Sequence, residues 1–241
     1  MITILCSGSR GDFQPYIALA QELQKLGKNV RIVSGKNFEE LITGYGIGFY
    51  ELSVDYQSID IDPQMIKEAQ SSDNPIKMLL TFNKDEKDNF VKLIVEASKI
   101  CGKRGIICGM GEISELPDNI FAINGVPHTW LFPRCSAVCH HGGAGTSAAG
   151  FASGVPSVII PFSNDQFAWA YRAYDLGVGS KPIPRKKLTA NNLSDAIHYS
   201  LKSDVIKKAA FLGEHIRNED GAKKAASEII SFLSKQIRVS A

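Results

Sequence analysis

The sequence predicts an α/β fold of the Rossmann-like class, a doubly wound parallel sheet with helices on both faces. Short apolar runs of strand length alternate with longer segments whose apolar residues recur at helical spacing. Glycine-rich turns separate many of these runs from the segments that follow them. Val155–Phe162 is apolar throughout and long enough for a strand buried on both faces, which is typical of parallel sheets.

The N-terminal part predicts a β-α-β-α-β arrangement, which is half of a Rossmann sheet. Apolar residues at helical spacing follow the first strand, and Gly27 ends that helix. Asn37 is the expected N-cap of the second helix, because its side chain can accept from a free helical N–H. The expected strands are Ile2–Ser7, Asn29–Ser34 and Phe49–Ser53.

The rest of the chain predicts more strands and helices after a polar, turn-rich stretch over residues 54–75. Ile76–Cys101 has the apolar spacing of one or two helices. The expected strands are Ile106–Met110, Asn119–Asn124, Ala137–His140, Val155–Pro161 and Gly177–Lys181, and the expected later helices are Asn164–Leu176, Asn191–Ser200, Asp204–Arg217 and Gly221–Lys235.

We expect residues 1–241 to form a single Rossmann-like domain, built from an N-terminal half (1–75) and a C-terminal half (76–241). Neither half alone covers both faces of its own sheet, and uncovered parallel sheets are rare. The expected strand order is 3-2-1-4-5-6 in outline. The alternative is two small lobes with a boundary at about 54–93.

A nucleotide-sugar site is predicted where an apolar run reaches His140 and His141 and ends at Gly142 and Gly143. A glycine-rich turn that enters a helix N-terminus offers backbone N–H groups and a positive dipole end, which suit a diphosphate. Asp165–Gln166 follows the next strand and offers an acceptor pair and an amide, which suit sugar hydroxyls.

Four stretches carry a resemblance to a known family: "VPHTWLFPR", "HHGGAGT", "PFSNDQ" and the N-terminal "GSRGDFQPYIALAQELQKLGKNVRIVS". Together they resemble GT-B glycosyltransferases, specifically the sterol 3-beta-glucosyltransferases, UDP-glycosyltransferases and relatives that glycosylate antibiotics. The matches cover about residues 1–53 and 94–232. A GT-B enzyme has two Rossmann-like domains, so the resemblance implies an internally truncated member. It lacks the acceptor-pocket half of the first domain and the opening half of the second.

The resemblance implies transfer of glucose from UDP-glucose to a hydroxyl of a sterol, a lipid or another hydrophobic acceptor, with no cofactor and no metal. Asp12 would be the general base, and Val126 would sit at the nucleotide base. Relatives of the plant type carry a Trp that stacks on uracil, and that position is Gly125 here. The implied contacts are His141, Gly142, Gly143 and Thr146 for the diphosphate and Asp165 and Gln166 for the hexose.

Each of these residues also has a structural interpretation. Asp12 can stabilise a helix N-terminus, and in a fused domain it would lie near the diphosphate rather than near an acceptor. His141 can satisfy a strand end, and Asp165 and Gln166 can be an N-cap and a solvated turn residue. Arg10 is a candidate phosphate contact or a solvated loop residue. We expect His140 to pack or hydrogen-bond within the fold.

Two further functions stay open at this point. One is a nucleotide-sugar-binding pseudoenzyme without an acceptor pocket. The other is a subunit whose cleft is completed by a homodimer or a partner chain.

Composition limits the partners. The chain has a net charge of +2 with 22% charged and 44% hydrophobic residues, so nothing indicates nucleic-acid binding. The N-terminus has no basic region followed by a long apolar core, and a cytoplasmic location is expected. The amphipathic C-terminal segment makes a membrane-peripheral location the alternative, although we expect its apolar side to face the core.

The five cysteines indicate free thiols rather than disulfides or a metal site. Cys6, Cys108 and Cys139 lie in or beside strand-like runs, so we expect them to be buried. Cys135, Cys139 and the two histidines after it have a spacing that suggests zinc, but alternate residues of a strand face opposite sides.

Overall fold

The computed structural model describes residues 1–6, 10–52, 84–111, 113, 115–162 and 165–239. In chain order the strands are β1 (Ile2–Leu5), β2 (Val30–Ser34), β3 (Gly48–Glu51), β4 (Gly105–Cys108), β5 (Ile120–Ile123), β6 (Val138–His140) and β7 (Ser157–Ile159). The α-helices are α1 (Arg10–Lys25), α2 (Glu39–Thr43), α3 (Lys84–Cys101), α4 (His128–Leu131), α5 (Ala144–Ser153), α6 (Asp165–Asp175), α7 (Ala190–Ser200), α8 (Ser203–Asn218) and α9 (Gly221–Val239).

The predicted α/β class is confirmed, because every strand pair among the described residues is parallel. The contacts divide the chain into two compact units, Met1–Ile61 with Asn218–Ala241 and Asp62–Arg217. The polar stretch 54–75 and the first residues of the predicted helical segment, 76–83, lie outside the described residues. The single-domain organisation and the full strand order stay predictions.

The first unit contains a three-stranded sheet in the order β1-β2-β3. Its core face is built on Ile32, which pairs with Ile4 on one side and with Phe49 on the other. Phe13 and Leu23 of α1 are fully buried against this face. The helix α9 contributes Ala226, also fully buried, with Ile229 and Ile230 beside it, so the apolar side of the C-terminal helix faces a core as expected.

The expected N-cap at Asn37 is wrong. Asn37 lies inside a 3-10 turn, Lys36–Phe38, and α2 begins only at Glu39. The Phe38 N–H donates to the carbonyl oxygen of Gly35 at 3.1 Å, which closes the tighter turn. The Phe38 ring stacks on Phe13 with 3.9 Å between ring centroids, so core packing fixes this turn rather than a polar cap.

The second unit contains two parallel pairs among the described residues, β4-β5 and β6-β7. The helix α3 packs on both pairs. Its Val91 lies in a cluster with Ile107 and Ile120 of the first pair, and its Ala97 lies in a cluster with Val158 of β7 and with Ile160, which follows β7. The apolar side of this amphipathic helix therefore contributes to two core clusters.

The expected strand Gly177–Lys181 is wrong, because only a single bridge from Gly179 to Ser157 of β7 is present. Gly177 adopts a positive φ of 67° at the end of α6, and the Val178 N–H donates back to Ala173. Pro182 and Pro184 follow and have no N–H to donate to a ladder. The chain therefore touches β7 at one point and leaves it.

The cysteines are free, but their predicted burial is confirmed only in part. Cys6 is buried, whereas Cys108 and Cys139 are exposed. Within the described ranges, no helix is both long and apolar enough to cross a membrane.

Candidate functional site

The glycine-rich turn between β6 and α5 forms the centre of the candidate site. The strand ends at His140, His141 follows it, and Gly143 stands immediately before the helix with extended backbone angles. The carbonyl oxygen of Gly143 accepts the first helical bond from the Ser147 N–H at 2.8 Å. The N–H groups of the first helical turn have no acceptor within the helix, so they are available to an anion.

Both glycines of this turn are required by close approaches. A β-carbon on Gly143 would lie 2.5 Å from Nε2 of His141. A β-carbon on Gly142 would lie 2.8 Å from Cγ2 of Ile159 and 3.0 Å from the carbonyl oxygen of Gln166, and Gly142 has a φ of +92°. The turn therefore packs against the beginning of α6 and against the end of β7.

The side chain of His141 lies near Phe162, which follows β7. Its ring centroid is 6.3 Å from that of Phe162. Partial burial lowers the pKa of His141, while the nearby Asp165 carboxylate acts in the opposite direction and raises it. This interaction shows that the Gly-rich turn and the start of α6 bring two predicted site residues together.

Asp165 and Gln166 are the first two residues of α6. Asp165 is exposed, as a ligand-binding carboxylate requires. Oε1 of Gln166 accepts a hydrogen bond from the Phe162 N–H at 2.8 Å, so the first turn of α6 is tied to the backbone of Phe162. Asp165 is the first residue of the helix rather than its N-cap.

The remaining donor-site predictions lie on either side of the turn. Thr146 is the third residue of α5 and is half-buried. Val126 is half-buried against a cluster that includes Leu131 and Phe132. A β-carbon on the neighbouring Gly125 would meet no atom within 4 Å.

Asp12 and Arg10 belong to the first unit and begin α1. Asp12 is exposed in the first helical turn, where the helix dipole favours a carboxylate. Burial raises the pKa of the Cys6 thiol to about 11, and the Asp12 carboxylate adds to this effect. The roles of Asp12 as a general base and of Arg10 as a phosphate contact stay predictions.

Two residues at the site were not singled out from the sequence. Cζ of Arg185 lies 5.1 Å from the centroid of the Phe162 ring, and that ring neighbours His141. The backbone N–H of Arg185 donates to the carbonyl oxygen of Pro161 at 3.2 Å, which fixes the loop beside the end of β7. The prolines in "KPIPRKK" were the available signal, because they hold the chain extended as it leaves the sheet.

Two protein families match this chain. Residues 108–235 match the family described as "Erythromycin biosynthesis protein CIII-like, C-terminal domain". Residues 2–97 match the "Glycosyltransferase family 28 N-terminal domain". The first match includes the whole candidate site in the second unit.

Two relatives from Arabidopsis thaliana are similar in sequence. Sterol 3-beta-glucosyltransferase UGT80B1 is 42% identical over 158 residues, which cover 64% of this chain and 26% of that protein. Sterol 3-beta-glucosyltransferase UGT80A2 is 34% identical over 203 residues, which cover 82% of this chain and 31% of that protein. The chain therefore spans about a quarter to a third of the length of these relatives.

Two solved structures share the fold. The spinosyn forosaminyltransferase SpnP aligns with a TM-score of 0.74 at 14% identity, over 97% of this chain and 99% of that chain. The glycosyltransferase VinC in complex with dTDP aligns with a TM-score of 0.66 at 14% identity, over 97% of this chain and 99% of that chain. At this level of identity the likeness is one of fold.

Proposed function

The chain belongs to the Erythromycin biosynthesis protein CIII-like C-terminal domain family, and we propose that it binds a nucleotide sugar. The proposed binding site is the turn between β6 and α5. The resemblance to GT-B glycosyltransferases of the sterol glucosyltransferase type is confirmed by the family matches, the plant relatives and the shared fold. UDP-glucose is the proposed donor, and a hydroxyl of a sterol or another hydrophobic molecule is the proposed acceptor.

One observation supports the donor site above the others. The Gly-rich turn lies against the first residues of α6, with Gly142 packed on Gln166 and His141 coupled electrostatically to Asp165. This arrangement puts helical N–H groups suited to a diphosphate beside a carboxylate suited to sugar hydroxyls. A nucleoside diphosphate sugar has both chemical groups, joined at the anomeric carbon.

The positive charge near this turn fits an anionic ligand. The α5 N-terminus and the Arg185 guanidinium both lie near it. These groups can offset the diphosphate charge, so we propose that binding needs no metal. The prediction is that a chelator leaves the affinity for UDP-glucose unchanged.

In the proposed reaction the acceptor hydroxyl oxygen attacks the anomeric carbon of glucose. The bond from that carbon to the diphosphate oxygen breaks, and UDP leaves with the electron pair. Asp12 takes the hydroxyl proton as the general base. The relatives are named as sterol 3-beta-glucosyltransferases, so a sterol is the acceptor class to test first.

Calorimetric titration with UDP-glucose tests the donor site. We expect Asp165→Ala to weaken binding by about tenfold, in line with the loss of a charged hydrogen-bond acceptor. The matched control is Asp175→Ala, which removes an exposed carboxylate at the other end of the same helix. Equal affinity in both variants would remove Asp165 from the site. Parallel titrations with UDP and dTDP test the base, since VinC is described in complex with dTDP.

A transfer assay with a sterol acceptor separates the enzyme from its alternative. Asp12→Asn is expected to abolish transfer while UDP-glucose binding stays intact, and undiminished turnover in this variant would exclude Asp12 as the base. Binding without transfer in the wild type would favour the pseudoenzyme, or a subunit completed by a second copy or partner. The observation that keeps this alternative is the placement of Asp12 and the donor residues in separate compact units.

A further inference from the structure

We infer that His140 is a positioning residue for the donor turn: its neutral imidazole holds the Gly142 N–H through Nδ1 and so fixes the turn that presents His141 and α5. This inference rests on the proposed function of the turn. His140 is absent from the residues that the family resemblance implies, and its side chain faces the fold rather than a ligand.

The His140 ring contacts the glycine-rich turn directly. The Gly142 N–H donates to Nδ1 of His140 with 3.1 Å between the nitrogens. Only an unprotonated ring nitrogen can accept this bond, so the neutral ring carries its proton on Nε2. The amide of Gly142 is thereby directed inward, away from a ligand at the helix N-terminus.

The other ring nitrogen of His140 is Nε2. Nε2 of His140 is buried and has no hydrogen-bond partner among the described residues, and the same holds for Oγ of Ser157. A β-carbon on Gly150 would lie 3.2 Å from that oxygen and 3.6 Å from Nε2, so both atoms face the same glycine of α5. The bond that fixes the ring among the described residues is therefore the one at Nδ1.

The His140 ring is uncharged in the fold. Burial, with a smaller contribution from the positive charge of His141 and His128, lowers the pKa of His140 to about 3. His140 therefore stays neutral at physiological pH, and Nδ1 remains an acceptor.

The bond from the Gly142 N–H to His140 helps to fix the conformation of the turn. Gly142 has a φ of +92° and packs against Ile159 and the Gln166 backbone. If its N–H lost the Nδ1 acceptor, the amide would be buried without a partner, and rotating it outward would move His141 and Gly143. His140 thus acts on the ligand only through the turn.

Two variants at this position provide the test. Asn places an oxygen acceptor at the same distance along the side chain as Nδ1, whereas Leu has similar bulk there and no acceptor. We expect His140→Leu to weaken UDP-glucose binding by about tenfold or more, and His140→Asn to stay within about threefold of wild type. His198→Leu, at an exposed position on α7, is the matched control and is expected to bind normally.

Nitrogen NMR of the imidazole adds a measurement that needs no ligand. We expect the wild type to show Nδ1 unprotonated and Nε2 protonated, and the Gly142 amide to exchange slowly with solvent in the wild type and in His140→Asn. Fast exchange is expected in His140→Leu if that variant folds. If it does not fold, the tautomer and the Asn variant still decide.

The outcomes separate this inference from the proposed function. A protonated Nδ1, or Leu and Asn variants that bind equally, would overturn the inference even when the wild type binds UDP-glucose. Failure of the wild type to bind any nucleotide sugar would overturn the proposed function and, with it, the positioning role. The slow amide exchange and the tautomer would then describe the turn alone.

Discussion

The imidazole of His141 lies directly against Gly143, so that a β-carbon on Gly143 would be 2.5 Å from Nε2. This contact sets the position of the imidazole over the start of α5. We predict that Gly143→Ala displaces His141 and weakens UDP-glucose binding by about tenfold, a loss comparable to that of one charged hydrogen bond. Titration calorimetry measures this effect.

The control for this prediction is Gly125→Ala, because a β-carbon at Gly125 meets no atom within 4 Å. Both variants replace an exposed or half-buried glycine, and both are expected to keep the wild-type circular dichroism spectrum. Normal binding by Gly143→Ala would mean that the His141 ring moves aside without cost and that its position is not set by this glycine.

Gly125 itself offers a gain-of-binding prediction. The family resemblance implies that this position is where plant-type relatives carry a Trp that stacks on uracil, and a β-carbon here meets no atom within 4 Å. We predict that Gly125→Trp raises the affinity for UDP by up to about tenfold, since stacking a base on an aromatic ring contributes roughly 1–3 kcal/mol. Calorimetric titration with UDP and with inorganic pyrophosphate measures the gain in affinity. A gain shared by pyrophosphate would show that stacking is not the cause.

The packing of α8 on the end of α5 provides a stability prediction. A β-carbon on Gly213 would lie 2.5 Å from Cα of Gly154 and 2.6 Å from its nitrogen. Because both groups are backbone, neither can move without shifting a helix, and Gly213→Ala is predicted to lower the free energy of unfolding by roughly 1–3 kcal/mol. Thermal unfolding measures the change.

Gly221→Ala is the matched control for Gly213, since nothing lies within 4 Å of a β-carbon there. Alanine at this first residue of α9 is expected to leave the melting temperature unchanged or slightly raised. An equal melting temperature for the two variants would show that the helices adjust their separation freely.

His140 gives the chain a predictable response to acid. Its pKa is lowered from 6.5 to about 3 in the fold, so the unfolded chain binds more protons than the folded one between these values. Stability is therefore complete above about pH 6.5 and falls as the pH decreases toward 3. Between pH 6.5 and 5 the wild type is predicted to lose roughly 1–2 kcal/mol more than His140→Asn.

Urea unfolding at several pH values measures this difference, and the comparison of two variants cancels the carboxylates they share. A wild type and an Asn variant with parallel pH dependences would mean that His140 titrates normally. The inference that neutral His140 accepts a hydrogen bond from the Gly142 N–H would then fail as well.

Much of the fold follows from local pattern. The apolar periods predict β2 and α7 to within a residue or two, because burying one face requires a fixed spacing. The glycines of "HHGGAGT" predict a tight entry into α5, which the structure contains. Local polar rules failed at Asn37, where stacking of Phe38 on Phe13 outweighed a cap that a side chain of the right type offered.

The candidate site divides in the same way. The motif order indicated that His141 and Asp165 belong to one site, and their electrostatic coupling agrees with that. Arg185 and Phe162 were missed, because a cation over an aromatic ring joins segments whose proximity has no sequence period. The expected strand over 177–181 failed because a positive φ at Gly177 and two prolines interrupt an otherwise suitable run.

The sequence by itself determined the α/β class, the family and the residue types at the donor turn. These depend on spacing and on backbone freedom, which neighbouring residues along the chain fix. Only the tertiary structure decided that the Gln166 side chain accepts from the Phe162 N–H, that Nδ1 of His140 accepts from the Gly142 N–H and that Arg185 lies over Phe162. Those relationships depend on which buried donors and acceptors meet after the helices pack, and packing joins residues that the sequence keeps apart.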